Sequence, residues 1–389
     1  MSGKLLVVTI DRLPSWMLPA YGSTWVSMPR VDALAGRGVV LDGLIATSDK
    51  PRETIADLFG GPGWPLAAAL NPAVLVTDDA MVAETMAGIV DMQHVAAVAT
   101  AATAINDDDT NLARLFAAAA ATVAAGRHQL VWCHAGSLAV AWDAPDEYRE
   151  AHLDPEDPPP PAGAAVPDVV VSADTDPDLL VGIRHVFAGQ LALLDKQIAR
   201  LLAAATEDWT ILVVGVRGLP LGLHGRVGCG SLAPYGELVR MPAILVDARG
   251  RMAGQRSSGL SVPVDIGITL GDLLGDRLTA SDQRPTHARS LAGLFIDWTA
   301  AARDRVIVVG SEGTAVVTPG WHLILPAAVA GGGSPLLFAK PDDFFELCDV
   351  ADRCPHVVDE LRAVAEAAAA GELERAWGMP LSGAATGAN

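Results

Sequence analysis

The chain begins with a continuous apolar run that ends at a charged residue. Residues Leu5 to Ile10 are apolar or β-branched, and Asp11 follows them directly. A run of this kind, bounded by a charge and soon afterwards by Pro14, is typical of a parallel strand buried on both faces. Open α/β sheets bind ligands just beyond the carboxyl ends of their strands. Asp11 is therefore a candidate site residue, and a carboxylate that only caps the next turn is an equally good interpretation.

Apolar runs and helical stripes alternate through the first three quarters of the chain, which predicts an α/β fold with a mostly parallel sheet. Apolar spacing predicts helices at Pro29 to Arg37, near Pro51 to Phe59, and at Thr110 to Ala125, Asp178 to Ala205 and Val264 to Leu274. Short apolar runs predict further strands at Val39 to Ala46, Ala73 to Thr77, Val95 to Val98, Leu130 to His134, Trp209 to Val216 and Met241 to Val246.

The pattern changes after a predicted loop at Ser281 to Ser290. Closely spaced apolar runs then predict an antiparallel meander, followed by a helix at Pro355 to Ala370. The predicted strands of the meander are Arg305 to Val309, Ala315 to Thr318, Trp321 to Leu325 and Leu336 to Ala339. We therefore divide the chain into an α/β domain, residues 1–295, and a small C-terminal subdomain, residues 296–389.

Composition allows a large core and limits the partners. The chain has 389 residues, of which 51% are hydrophobic, and its formal net charge is -19. So acidic a chain repels phosphates, and we expect neither a nucleic acid nor a membrane as partner. No apolar stretch approaches the roughly 20 residues that span a bilayer, and no signal-peptide pattern precedes the first strand. We expect a soluble, cytoplasmic protein.

The cysteines give no sign of a metal cage. Cys133, Cys229, Cys348 and Cys354 are scattered and form no CxxC pair, which argues against structural zinc. Cys348 and Cys354 are close enough in sequence to form a disulfide, but we favour reduced, partly buried thiols.

A second candidate site is the polar turn Thr47-Ser48-Asp49-Lys50-Pro51-Arg52, between a predicted strand and a predicted helix. A helix N-terminus favours negative charge, so this turn is a good place for a nucleophile or a bound anion. An ordinary Ser or Asp N-cap is the alternative, and it is somewhat favoured. His134 ends another predicted strand. We favour a histidine that is bonded within the core or a loop over a histidine that acts as a ligand.

The order of several segments resembles the sulfatase family of the alkaline phosphatase superfamily along nearly the whole chain. The segments are Val8-Thr-Ile-Asp11, Tyr21-Gly22, Met28 to Ala35, Leu193 to Leu202, His224-Gly225, Gly236-Glu-Leu-Val-Arg-Met-Pro242, Arg256 to Asp265, Gly320-Trp-His-Leu-Ile324 and Phe345-Glu-Leu-Cys-Asp-Val350. The resemblance implies a central, mostly parallel sheet between helices, with a small C-terminal antiparallel sheet and helix. It also implies a sulfuric ester hydrolase, although a fold alone does not fix a function.

The resemblance also implies a particular chemistry. A divalent cation, usually calcium, is held by two acids after the first strand and by an Asp-His or Asp-Asn pair after a later strand. The nucleophile is a Cys or Ser in the motif C/S-x-P-S-R, oxidised to formylglycine. The cation polarises the sulfate and lowers the pKa of the nucleophile. Calcium needs several oxygen ligands, and basic side chains bind the remaining sulfate oxygens.

At the metal position this chain departs from the family pattern. Asp11 matches the first acid, Arg12 replaces the second, and the Asp-His pair falls on Val216-Arg217. Because arginine stays protonated, Asp11, Arg12 and Arg217 sum to about +1, which repels a divalent cation. We therefore predict that the chain binds no cofactor. If the metal site functions after all, calcium is the cofactor that the resemblance implies. An Asp11–Arg217 ion pair is predicted to join the two strand ends instead.

The nucleophile motif is also incomplete. Ser48 and Arg52 have the spacing of the motif's nucleophile and arginine, but its Pro and its second Ser are missing. A shift of one residue would place Asp49 at the nucleophile position. His224 is retained, and the family's next His or Lys falls on Cys229.

Three functional hypotheses follow. The first is a degenerate sulfatase-like protein that has lost catalysis and holds a sulfate, phosphate or carboxylate in a positive pocket of Arg12, Lys50, Arg52, Arg217 and His224. For these side chains, pairing with Asp49, Glu53 and Asp57 or pointing to solvent is the favoured alternative. The second is an active ester hydrolase that uses Ser48 and arginines in place of a metal. The third is a structural subunit that pairs with an active sulfatase.

Overall fold

A computed structural model describes residues 3–61, 65–275, 287–295, 303–327 and 333–387. In chain order the strands are β1 (Lys4–Ile10), β2 (Val39–Leu41), β3 (Ala73–Thr77), β4 (Asp91–His94), β5 (Leu130–Ala135), β6 (Val169–Val170), β7 (Trp209–Gly215), β8 (Arg226–Val227), β9 (Ala243–Val246), β10 (Gln255–Ser257), β11 (Val306–Gly310), β12 (Gly313–Val317), β13 (Trp321–Pro326) and β14 (Leu336–Ala339). The α-helices are α1 (Pro29–Arg37), α2 (Pro51–Leu58), α3 (Pro65–Ala69), α4 (Ala80–Met86), α5 (Asn111–Ala125), α6 (Asp146–Glu150), α7 (Pro177–Leu202), α8 (Gly236–Val239), α9 (Pro263–Leu273), α10 (Pro355–Ala369), α11 (Leu373–Gly378) and α12 (Gly383–Thr386).

The central sheet has eight strands in the order β10-β2-β9-β7-β1-β5-β3-β4. Strand β9 runs antiparallel to its neighbours β2 and β7, and the other neighbouring pairs are parallel. The predicted mostly parallel sheet is therefore confirmed. Strands β7, β1, β5 and β3 consequently end at the same edge, and that edge carries the candidate site residues.

Strand β1 is buried on both faces, as its continuous apolar run predicts. Its residues alternate between two cores: Leu5 and Val7 face one, and Leu6, Val8 and Ile10 face the other. Helices α2, α3 and α9 contribute to the first core, and α1, α5 and α7 contribute to the second. The sheet is thus the middle layer of three, which accounts for strands that read as uninterrupted apolar segments.

A buried carboxylate fastens helix α1 to helix α7. Helix α1 starts with Pro29, and the Asp195 side chain of α7 accepts the main-chain N–H groups of Arg30 at 3.0 Å and Val31 at 2.8 Å. Free N–H groups of a first helical turn need such acceptors. This long-range cap explains why an acid is tolerated among the apolar residues of α7.

The C-terminal sheet is an antiparallel meander in the order β11-β12-β13-β14, as predicted. Helix α10 covers one face, and the other face joins the core of the α/β domain through side chains that include Val306, Val308 and Phe338. Where the two parts meet, the Val309 N–H donates to the Thr47 carbonyl at 2.9 Å. The division at residue 295 remains a prediction, because residues 296–302 and most of the predicted loop at Ser281 to Ser290 lie outside the described residues.

Two predicted strands need correction. Strand β2 ends at Leu41, because a turn at Asp42 and Gly43 interrupts the apolar run that continues to Ala46. The strand predicted at Val95 to Val98 is wrong; β4 lies just before it, at Asp91–His94. All four side chains of β4 are exposed at the sheet edge. An exposed edge strand needs no apolar run, so a search for buried patterns misses it.

The cysteines are free thiols, in keeping with the reduced state that the sequence favours. Cys348 is exposed, however, where a partly buried thiol was expected, and Cys133 is fully buried. No helix in the described part of the chain has both the length and the apolar character needed to cross a membrane.

Candidate active-site region

The neighbouring ends of β1 and β7 bring Asp11 and Arg217 together. Ile10 is the register partner of Gly215, so the segments that follow the two strands leave the sheet side by side. They remain paired beyond it, because the N–H of Leu13 donates to the carbonyl of Arg217 at 2.9 Å. The predicted convergence of these two side chains is therefore a direct result of the parallel register.

Asp11 and Arg217 form a bidentate ion pair. Arg217 Nε lies 2.9 Å from Asp11 Oδ1, and Arg217 Nη2 lies 3.0 Å from Oδ2. Arg217 Nη1 donates to the main-chain carbonyl of Asp49 at 3.1 Å. The side chains are only 5% exposed for Asp11 and 20% for Arg217. The ion pair that the sequence predicts is confirmed, and it also holds the turn before α2.

Arg12 adds a second guanidinium beside the first. Its side chain is buried. Its main chain has a φ of 61°, which lies in the left-handed region that residues other than glycine rarely adopt. Nη2 donates to the carbonyl of Cys229 at 3.1 Å, while Nε is buried without a partner among the described residues. Burial and the adjacent charge of Arg217 both lower the pKa of Arg12.

Ser48 and Asp49 are fixed in the turn before α2. Ser48 is buried, and its Oγ accepts the N–H of Lys50 at 3.2 Å. Asp49 Oδ2 accepts both the N–H of Ser311, at 2.8 Å, and its Oγ–H, at 2.5 Å. Ser311 belongs to the loop between β11 and β12, so Asp49 also ties the turn to the C-terminal subdomain.

Lys50 and Arg52 lie apart from this cluster. Both are exposed, and Lys50 Nζ lies 3.1 Å from Glu53 Oε1 in an ion pair on the first turn of α2. This is one of the local pairings favoured by the sequence. The structure thus groups Asp11, Arg12 and Arg217 with the Ser48–Asp49 turn and leaves the other two cations at the surface.

These residues do not fit a calcium ion. Both oxygens of Asp11 already accept hydrogen bonds from Arg217, and the charges of Asp11 and Asp49 are balanced by two guanidinium groups. Calcium takes 6–8 oxygen ligands, most of them carboxylate or carbonyl. Among the described residues, no group of three or more His, Cys, Asp and Glu side chains has an arrangement that could hold a metal ion.

His224 has its own set of partners. Its Nδ1 lies 2.6 Å from Glu237 Oε1, its Nε2 lies 3.2 Å from the main-chain carbonyl of Glu346, and its ring stacks on Tyr235 at 3.8 Å. Burial lowers the pKa of His224, but the hydrogen bond and charge of Glu237, with the Glu346 contacts, raise it above its ordinary value of 6.5. Neither ring nitrogen is left for an added anion.

Sequence reasoning missed Glu346, which binds three groups at once. Its carboxylate lies 2.7 Å from His322 Nδ1 and 2.9 Å from Lys340 Nζ, and it accepts the N–H of Gly236 at 2.7 Å. Burial opposes ionisation, but His322 and Lys340 hold the pKa of Glu346 well below its usual range. The only signal was its place in a segment that carries the family resemblance.

His134 belongs to the core, as favoured by the sequence. It is fully buried, with Nδ1 2.8 Å from Thr9 Oγ1. Because that hydroxyl accepts the Trp132 indole N–H at 2.7 Å, its own hydrogen is free to point at His134. The ring proton of the neutral form then lies on Nε2, toward Asp79 Oδ2 at 3.7 Å.

Comparisons with known proteins extend this result. No protein-family model matches the chain, and no curated protein matches it in sequence.

Solved structures match it closely in fold. The phosphonate monoester hydrolase of Agrobacterium radiobacter is 17% identical, with 96% of this chain and 94% of that one covered at a TM-score of 0.71. A protein in complex with its substrate D-glucosamine-2-N,6-O-disulfate is 13% identical, with 97% and 98% covered at 0.72. A 2-O GAG sulfatase is 15% identical, with 99% and 96% covered at 0.70.

The chain therefore has the fold of the sulfatases and phosphonate monoester hydrolases of the alkaline phosphatase superfamily. The match covers both the α/β domain and the C-terminal sheet, because nearly all of each chain is superposed. The fold implied by the sequence resemblance is confirmed.

Proposed function

We propose that this chain is a non-hydrolytic protein with the sulfatase fold, in which Arg217 takes the place that a divalent cation has in the sulfatases. One observation carries the proposal. Both oxygens of Asp11 are bound by Arg217, whose third nitrogen reaches the Asp49 carbonyl. A guanidinium holds the strand ends together, but it supplies neither a Lewis acid nor an acidic bound water.

The surroundings of Ser48 support the loss of hydrolysis. A serine nucleophile needs a base that takes its proton or a metal that lowers the pKa of its hydroxyl. Ser48 Oγ accepts a main-chain N–H and is buried, and the histidine that the family motif retains, His224, is bonded to Glu237 and Glu346. An active hydrolase based on Ser48 and Arg52 is the second hypothesis, and the assay below separates the two.

We propose a small oxyanion as the ligand class, held near Arg12 and Arg217 without being cleaved. The support is the buried Nε of Arg12, since unpaired buried nitrogens in native proteins are usually satisfied by water or an ion. A protein of the same fold binds D-glucosamine-2-N,6-O-disulfate. Sulfate, phosphate and that sugar are therefore the first ligands to test by calorimetry, with Arg12→Met as the matched variant.

Calcium, magnesium and manganese are expected to leave the melting temperature unchanged. The test is a thermal melt of purified protein in EDTA and then with each ion in excess. A specifically bound ion at about 100 times its dissociation constant would add roughly 2.7 kcal/mol of stability. A saturable rise with one ion would overturn the proposal, because it would show that a metal site survives.

Aryl sulfates and aryl phosphates are expected to show no turnover above background. Ser48→Ala and Arg52→Ala should therefore have no effect in the same assay. Turnover by the natural chain that disappears in Ser48→Ala would establish the hydrolase instead. Turnover that survives Ser48→Ala would point to a contaminating enzyme or to another nucleophile, with Asp49 tested next by Asp49→Asn.

A further inference from the structure

The segment of residues 341–347, which we name the latch segment, spans the contact between the C-terminal subdomain and the α/β domain. Phe345 packs edge-on against Trp16, with ring centroids 6.1 Å apart and an interplanar angle of 81°. The guanidinium of Arg240 lies 4.6 Å from the centre of the Phe344 ring. Glu346 follows with a φ of 58°, which directs its carbonyl and its carboxylate into the same contact.

The hydrogen bonds of His224 fix the number of protons in this contact. A main-chain carbonyl and an ionised carboxylate can only accept, so both ring nitrogens must donate. If the second proton lies on Glu237 rather than on the ring, the His224–Glu237 pair still holds one proton more than a neutral imidazole and an ionised carboxylate do together. When that proton is lost, the remaining ring proton stays on Nδ1, because the Glu237 carboxylate is the stronger acceptor, and Nε2 then faces the Glu346 carbonyl with no hydrogen between them.

We propose that His224 is a pH-dependent latch, whose ring proton holds the latch segment of the C-terminal subdomain against the α/β domain and whose loss releases it. This goes beyond the proposed function and does not depend on it. The sign follows from the raised pKa of His224: docking is strongest below the ordinary histidine pKa and weakens as pH rises through the raised one.

Other charged groups around His224 behave differently. Arg184 and Tyr235 face Glu237, Tyr235 also faces Asp349, and Arg240 and Lys340 face Glu346. Burial lowers the pKa of Arg184, Arg240 and Lys340 and raises that of Tyr235. Lys340 also donates to the carbonyls of Asp343 and Phe344, both within the latch segment.

His322 also contacts Glu346, and its geometry excludes it as the latch. Its Nδ1 bonds Glu346 Oε1, but its Nε2 is buried without a partner among the described residues. A neutral His322 with its proton on Nδ1 keeps that hydrogen bond. The single hydrogen bond of the His322 ring therefore needs only one ring proton, whereas the two hydrogen bonds of the His224 ring need two.

The test is hydrogen exchange of the full chain, followed by mass spectrometry from about pH 6 to about pH 9 and corrected for intrinsic rates. Peptides that cover Gly236 and the latch segment are compared with peptides from β1. Loss of a charge-assisted hydrogen bond should lower protection of the latch segment by about tenfold across this range, with β1 unchanged. A flat profile in the natural chain would overturn the proposal.

Three variants locate the effect. His224→Gln cannot titrate and should give low protection that no longer depends on pH. His322→Gln should keep the pH dependence of the natural chain, and so should the control His356→Gln, which alters an exposed histidine of α10. A pH dependence that survives in His224→Gln would contradict the latch.

A spectroscopic measurement keeps the proposal testable if His224→Gln does not fold. Nitrogen-15 spectra of the natural chain with labelled histidine, in which the His322 signals are identified with His322→Gln, should show the His224 ring with both nitrogens protonated at about pH 6. That ring should lose its proton only as pH rises above 6.5, the ordinary pKa of histidine. A buried ring at the His224 position that is already neutral at about pH 6 would overturn the proposal.

Discussion

Arg217→Met should destabilise the protein by about 3–5 kcal/mol, because it leaves Asp11 buried without its counter-ion. Asp11 is only 5% exposed, and Arg217 supplies hydrogen bonds to both of its carboxylate oxygens. The variant also removes the donor to the Asp49 carbonyl, which loosens the turn before α2. The measurement is the free energy of unfolding in urea, followed by circular dichroism.

Two further variants show whether the buried charge is the cause. Asp11→Asn combined with Arg217→Met should recover much of the lost stability, because no unpaired charge is left inside. Arg375→Met breaks an exposed pair with Glu372, whose side chains are 67% and 49% exposed, and should cost less than about 1 kcal/mol. If Arg217→Met costs no more than Arg375→Met, the ion pair does not hold the strand ends together.

Asp265→Ala is expected to have a comparable effect, about 3–5 kcal/mol, at the junction of α9 with the C-terminal subdomain. Asp265 is fully buried and pairs through both oxygens with Arg303, whose side chain is 4% exposed; Nε lies 2.7 Å from Oδ2. It also accepts the N–H groups of Val262 at 3.0 Å and Arg289 at 2.7 Å. The variant leaves a buried guanidinium and two main-chain donors without their acceptor.

Asp272→Ala is the matched control for this prediction. Asp272 lies on the same helix, is only half-buried and has no ion-pair partner in the part of the chain that the structure describes. Its removal should change the free energy of unfolding by no more than about 0.5 kcal/mol. Equal effects of the two substitutions would mean that the loss at Asp265 reflects helix α9 in general rather than the pair with Arg303.

Local pattern determined most of the fold. The apolar run of β1 and the meander strands reflect a core on each of their two faces, and the helical stripe of α10 reflects one core, so a few neighbouring residues suffice to predict them. Strand β4 shows the limit of this reasoning. Its four residues form a strand because β3 offers them a free edge, and their own sequence carries no apolar signal.

The sequence also determined the Asp11–Arg217 pair, but by a different route. The family resemblance implies a metal between the ends of the two equivalent strands, and replacement of acids by arginine changes the charge in a way that can be counted without coordinates. The third contact of Arg217, to the Asp49 carbonyl, could not be counted in this way. It depends on the position of a turn that is 168 residues away in sequence.

Only the tertiary structure decided which charged group each candidate side chain meets. Lys50 pairs with Glu53, one helical turn away, whereas His224 contacts the carbonyl of Glu346, 122 residues further along the chain. The sequence determines how many hydrogen-bond donors and acceptors the chain has, but many different donor–acceptor pairings are compatible with those numbers. Packing selects one of them, because a buried polar group without a partner is costly and only neighbours in space can supply that partner.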